Sequence, residues 1–204
     1  DGFLRAIQQI AKEADALLIA DEMISGFGRT GLMWGAQHDG VVPDIMTVGK
    51  GMGGGFPLSA VVSTDDLTSR KPWSNPSASS SSYGSNPLAA AAGLAAVEII
   101  LKENLVKNAE RVGSVMLTRL EALKEKYRCV GEVRGRGLML GIELVKDRRT
   151  KEPLGKDVTQ SLYKECLRRG LASMTYSPTV RINPPLIISE ETALNGLAIL
   201  DEAL

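Results

Sequence analysis

Lys50 closes a short apolar run, IMTVG, and opens a glycine-rich one, GMGGG. A primary amine in that position can attack a carbonyl carbon and afterwards carry protons, and the small residues beside it let backbone come close to a bound ligand. A solvated lysine in a flexible glycine loop explains the same local string. A phosphate-cradling P-loop does not, because that pattern needs Ser or Thr directly after Gly-Lys, and here Gly51 follows. Asp21 ends a second apolar run, LLIAD. A carboxylate at a strand end can hold a heterocyclic nitrogen protonated and so make the ring an electron sink. It can equally cap a turn, with Glu22 beside it a solvated carboxylate.

These residues are only useful if regular elements hold them. Phe3, Ile7, Ile10 and Ala14 recur at helical spacing, which predicts a helix ahead of a buried strand over 17–21. Residues 45–49 and 58–63 read as two more strands, so Asp21 and Lys50 both fall where strands stop. The Ser-, Pro- and Asn-rich stretch 69–85 reads as an irregular loop. Asn86 and Pro87 suit the cap and first turn of an alanine-rich helix.

Leu105, Ala109, Val112, Met116, Leu120, Leu123 and Tyr127 recur at intervals of three and four, a long amphipathic helix over 104–127. Strand-like EVRG and LMLGIELV follow, then a polar connection over 147–155 and a helix over 158–169 stopped by Gly170. LASM and TVRIN read as further strands, and a last helix starts near Ser189. The alternation of strands and helices in the first half predicts a parallel α/β arrangement. The second half predicts a smaller α+β layer, with a boundary near 100–106. No internal repeat is visible.

Composition narrows the ligand. The chain has 204 residues, 44% hydrophobic and 24% charged, enough apolar material for a buried core. Lys plus Arg number 24 against 24 Asp plus Glu, so charge gives no case for nucleic acid or an acidic membrane. Cys129 and Cys166 are far apart and His38 is the lone histidine, which argues against zinc or a disulfide framework and suits a reducing cytoplasm. No apolar run approaches the roughly 20 residues of a membrane span. The polar, amphipathic start without an initiator Met reads as the middle of a larger protein.

Five segments in order, DEMISGFGRTG, PDIMTVGKGMGGGFPLSAVV, SSSYGSNPLAAAAGLA, VRGRGLMLGIEL and VRINPPLIIS, resemble the class III (omega) aminotransferases of pyridoxal-phosphate (PLP) fold type I. The resemblance covers most of the chain. It implies an α/β fold in which residues 1–105 are the C-terminal part of the PLP-binding large domain, a mostly parallel sheet with helices. Residues 106–204 would be a small α+β C-terminal domain, truncated at its end.

Residue by residue, the resemblance implies that Asp21 pairs with the pyridinium nitrogen of pyridoxal 5'-phosphate and that Lys50 bonds to its aldehyde carbon and later carries protons. Met23 stands where the family usually has a valine against the ring face, a place a thioether can fill, although ordinary packing explains it equally. Ile24 departs from the glutamine that many members aim at the cofactor hydroxyl. Ser82 stands where a threonine commonly binds the cofactor phosphate across a dimer interface, and Tyr83 matches its aromatic neighbour; a plain surface loop is the alternative. Arg181 would clamp the substrate carboxylate, a task suited to a planar bidentate donor, or else form a surface ion pair. Gly135, Arg136 and Gly137 read as structural, and Arg29 and Thr30 as supports of the active-site loop.

The implied reaction is transamination of an omega-amino acid of the 4-aminobutyrate kind with 2-oxoglutarate or pyruvate, in a homodimer with a shared active site. No metal, nucleic acid or membrane partner is expected. Ornithine-, acetylornithine- or taurine-type donors, or an aminomutase, stand as alternatives. Family members also carry a substantial region ahead of the equivalent of Asp1, so an inactive fragment or dimer-forming scaffold is a further expectation for the isolated chain.

Overall fold

The computed structural model describes residues 2–78, 81–174 and 177–204. The chain divides into two compact units, Asp1–Leu105 and Val106–Leu204.

In the first unit, helix α1 (Phe3–Glu13) has no side-chain cap of its own at Gly2. Its first amides are met from a distance instead: Gly2 N and Leu4 N donate to the two carboxylate oxygens of Asp39, at 3.0 and 2.8 Å. Asp39 lies at the end of a 3-10 turn, Gly35–Asp39. Strand β1 (Ile19–Asp21) pairs in parallel with β2 (Ile45–Val48), Asp21 opposite Thr47. Strand β3 (Ala60–Ser63) runs antiparallel to β2, Val48 opposite Ala60.

The sheet of this unit is therefore mixed rather than mostly parallel among the described residues. The reason is the link between β2 and β3, which holds one 3-10 turn, Lys50–Gly53, and is too short for the crossover that a parallel return requires. A short helix, α2 (Asp65–Thr68), follows β3 and is capped by Thr64, a cap and helix not foreseen from the sequence. Helix α3 (Pro87–Lys102) begins as the dipeptide predicts, with Asn86 Oδ1 accepting from Ala89 N at 2.8 Å. It packs on the Lys50–Gly53 turn and the chain after it: a Cβ at Gly93 would stand 2.5 Å from Leu58 Cδ2.

The second unit is antiparallel throughout. Helix α4 (Leu105–Lys126) is followed by β4 (Val130–Arg136), β5 (Met139–Asp147), β6 (Glu152–Pro153), α5 (Lys156–Arg168), β7 (Thr179–Ile182) and α6 (Glu190–Ala203). β5 is central, pairing with β4, β6 and β7. Alternate residues Leu140, Ile142 and Leu144 turn inward to meet Val112, Met116, Leu120 and Leu123 of α4 and Leu197 and Leu200 of α6. Each such leucine, fully buried, contributes about 1.5–3 kcal/mol.

Helix α4 also crosses the β4–β5 hairpin at backbone distance, since a Cβ on Gly113 would lie 2.0 Å from Gly137 O. The hairpin itself needs φ of 148° at Gly135 and 52° at Gly137, which gives the glycines of the GRG string their structural role. Two sequence expectations change here. The polar connection contains β6, whose Glu152 and Pro153 pair with Asp147 and Val145 of β5, and LASM supplies only a single bridge, Met174 to Arg181, rather than a strand.

Candidate active site

Parallel strands β1 and β2 end side by side, and their carboxyl ends carry the first unit's chemistry. Open α/β sheets bind ligands at that edge because loops, not strands, line it. Asp21 is the last residue of β1 and Lys50 stands two residues beyond β2. Asp21 Oδ1 accepts from the Thr47 hydroxyl and from the Met23 amide, both at 3.1 Å. The Met23 thioether lies over the end of β2: a Cβ on Gly49 would stand 2.8 Å from both Sδ and Cε. Asp21, Met23, Thr47 and Gly49 thus form one cluster, and Lys50 follows Gly49 in the chain.

Lys50 itself has φ 44°, a left-handed conformation costly for a side chain with a Cβ. Its side chain is exposed, and Lys151 takes the same conformation in the exposed turn before β6, so the left-handed residue shapes the tight turn after β2 and does not by itself mark a site. After the turn, Gly54 and Gly55 take φ of 58° and 107°, so the glycine run is a shaped turn rather than a slack linker.

The segment after Asp21 is a packed body whose organiser the sequence reading missed. Glu22 is 3% exposed, not solvated. Its carboxylate accepts from Ser25 Oγ at 2.6 Å, Gly35 N at 2.9 Å and Ala36 N at 2.7 Å. These donors come from both ends of the GFGRTG loop, so a single acid closes it. Phe27 is buried, stacks edge-on against Trp34 with ring centroids 5.0 Å apart, and underlies Gly51 in the turn that carries Lys50. Thr30 is buried, its hydroxyl 3.0 Å from His38 Nε2, and burial pulls the Arg29 guanidinium below its ordinary pKa. The spaced glycines at 26, 28 and 31, shortly after the Asp21-Glu22 pair, were the available signal for such a closed loop.

The other expected site residues of the first unit are not drawn into this cluster. Ile24 is on the turn after Met23, partly exposed. Ser82 and Tyr83 lie exposed on the loop before α3, where Tyr83 O accepts from the Asn86 side chain at 2.9 Å. Arg181 belongs to the second unit, in β7 opposite Gly141. It borders a groove of about 490 Å³ shared with Leu171, Ser173, Met174 and Pro184. Among the described residues its guanidinium meets only the Met174 sulphur, at 3.5 Å, and takes part in no ion pair. The surface-pair alternative for Arg181 therefore has no carboxylate to rest on among those residues. No group of His, Cys, Asp and Glu among the described residues could hold a metal.

A carboxylate ending β1 and a lysine just beyond β2 stand at the edge of the sheet where open α/β folds bind ligands. Aminotransferase class-III is the family whose model matches, over residues 1–204, and the chain belongs to that family. It is 41% identical over 198 residues to alanine–glyoxylate aminotransferase 2 homolog 2, mitochondrial, of Arabidopsis thaliana, covering 94% of this chain and 40% of that protein. It is 38% identical over 204 residues to the leucine/methionine racemase of Thermococcus litoralis, covering 100% of this chain and 45% of the relative. In structure it matches an amine transaminase from an uncultivated Pseudomonas species, solved in its PLP-bound form, with TM-score 0.93 and 33% identity over 99% of this chain and 47% of that one. The chain thus spans less than half the length of these relatives.

Proposed function

We propose that the native polypeptide containing this chain is a pyridoxal 5'-phosphate-dependent aminotransferase. The observation that carries the reading is the placement of Lys50 just beyond β2 and of Asp21 at the end of β1, the parallel neighbour of β2. The donor set fits that cofactor. Asp21 has one oxygen engaged by Thr47 and Met23, while its second oxygen takes no hydrogen bond from the described residues. The Met23 thioether offers an apolar surface for a ring face.

When bound, the cofactor supplies a ring that can take up the electrons released at a substrate carbon. Asp21 would hold the proton on the ring nitrogen. Lys50 Nζ would take the proton from the substrate's amine-bearing carbon and hold it for return, and Met23 would keep water off the bound ring. Ile24 supplies an aliphatic wall, and Ser82 with Tyr83 addresses the phosphate across a homodimer interface. Arg181 binds the substrate carboxylate, for which its uncommitted guanidinium and the adjoining groove are suited.

In this reading residues 1–105 belong to the large domain and 106–204 to the small one. The half-exposed Ile19, Val61 and Val62 of the first unit's sheet are surface that further protein covers. On its own, the 204-residue chain would then associate as a scaffold without turnover. The free thiols Cys129 and Cys166 suit a reducing cytoplasm. The donor we propose is an omega-amino acid of the 4-aminobutyrate kind and the acceptor 2-oxoglutarate or pyruvate, on the likeness of residues 41–58 to that group.

The test is borohydride trapping after addition of PLP, read by peptide mass. A pyridoxyl adduct on Lys50, lost in Lys50→Ala, is expected; an adduct elsewhere, or none in the native polypeptide, overturns the proposal. The likeness to a leucine/methionine racemase favours a second reading in which the same lysine moves a proton without net amine transfer. Deuterium entering the amino acid's α-position in the absence of any oxo acid, with inversion, would select it. Amine transfer from a donor panel to 2-oxoglutarate or pyruvate would select the first.

A further inference from the structure

We propose that Thr47 is the positioning residue of the Asp21 carboxylate; the inference rests on the proposed pairing of Asp21 with the cofactor's ring nitrogen. Two bonds reach Asp21 Oδ1. The Met23 amide is local, two residues on in the same turn, and by itself is the ordinary contact of an aspartate with its own backbone. The Thr47 hydroxyl comes from the neighbouring strand at 3.1 Å, and it is the residue directly opposite Asp21 in the parallel register.

Two donors from different elements fix the rotation of the carboxylate about its Cβ–Cγ bond, which one local donor would leave free. With Oδ1 saturated, Oδ2 is the oxygen presented to a ring nitrogen. Thr47 is suited to this: it is β-branched, so its side-chain torsion is stiff, and it is held in a ladder on both sides, by β1 and by β3 opposite Val61. It is also a lone hydroxyl in an otherwise apolar strand, three residues before Lys50, so the strand that delivers the amine also orients the acid.

The experiment compares Thr47→Val, which keeps shape and removes the donor, with Thr47→Ser, which keeps the donor, each in the native polypeptide and each with and without Asp21→Asn. Readouts are PLP affinity by equilibrium dialysis, the pH profile of the bound cofactor's absorbance, and kcat and KM. Loss of one hydrogen bond to a carboxylate predicts about a tenfold fall in PLP affinity and kcat for Thr47→Val, with KM little changed. Thr47→Ser should recover most of it, and Thr47→Val should add nothing on the Asp21→Asn background, because its effect runs through Asp21.

Wild-type behaviour of Thr47→Val alongside a crippled Asp21→Asn would overturn the role of Thr47 and leave that of Asp21 standing. Effects that multiply in the double variant would overturn it as well, since Thr47 would then act by another route. An Asp21→Asn protein with unaltered affinity and turnover would instead sink the underlying reading of the site. Should Thr47→Val not fold, Thr47→Ala carries the same comparison.

Discussion

Replacing Glu22 tests the claim that a single buried acid closes the loop beneath the site. Three donors converge on its two oxygens: Ser25 Oγ and Gly35 N on Oε2, and Ala36 N on Oε1. Glu22→Gln preserves the shape but has one oxygen. If the amide oxygen faces Ala36 N, the NH2 group faces the Gly35 N–H; reversed, it faces the Ala36 N–H. The serine hydroxyl can turn to accept, but a backbone amide cannot, so either orientation leaves one N–H without an acceptor, costing about 1–3 kcal/mol. Glu22→Ala strands both amides, about 2–6 kcal/mol by the same measure.

Native-state hydrogen exchange reads this locally, which matters in a chain of two units whose global unfolding need not be a single transition. Protection at Ala36 and Gly35 should fall roughly 5- to 150-fold in Glu22→Gln and further in Glu22→Ala, while amides of β5 keep theirs. Protection unchanged at Ala36 in the glutamine variant, or a loss spread evenly over both units, would refute the reasoning.

In the second unit, Gly113→Ala places a methyl 2.0 Å from Gly137 O. Overpacking of about 3 kcal/mol less about 1 kcal/mol of helix propensity leaves a net loss near 2 kcal/mol, an apparent melting midpoint about 10 °C lower by circular dichroism. Gly196→Ala, whose Cβ meets only Leu171 Cδ1 at 3.6 Å, should move the midpoint slightly upward. Asp201 has its pKa held below the ordinary aspartate value, first by the Lys126 hydrogen bond at 2.6 Å and also by the Tyr127 hydroxyl. Its stabilisation is present above the unfolded-state pKa and is lost as pH falls through the lower folded one. Asp201→Asn should therefore flatten the acid limb of the stability profile and cost about 1 kcal/mol at neutral pH, measured by urea titration. Arg181→Lys should raise KM for carboxylate substrates about tenfold while sparing kcat, and unaltered kinetics would remove Arg181 from the site.

Much of the local structure was legible because its signals are short-range. Asn86 and Ser189 mark helix starts through their own side chains, accepting from Ala89 N and Thr192 N. The apolar face of α4 is written in its three- and four-residue spacing, and all of Ala109, Val112, Met116, Leu120 and Leu123 are buried. The placement of Asp21 and Lys50 at strand ends follows from two apolar runs that stop at charged residues. What failed was non-local. Strand direction depends on the path of the connection, and nothing in LSAVVS says that β3 returns antiparallel. LASM has a strand's composition but meets a partner at one residue only.

The amino-acid order alone determined the family resemblance, the helices and the presence of an amine and an acid at the ends of apolar runs, since residue type and period-2 or period-3.6 spacing act within a few positions. Tertiary structure alone decided which groups meet. It set Thr47 opposite Asp21 through a parallel register spanning 26 residues of sequence, it buried Glu22 by bringing amides at 35 and 36 onto it, and it put the Lys50 backbone in a left-handed turn. A hydrogen bond between strands is chosen by how the chain folds back, and that choice is made by packing summed over the unit rather than by the residues that form the bond.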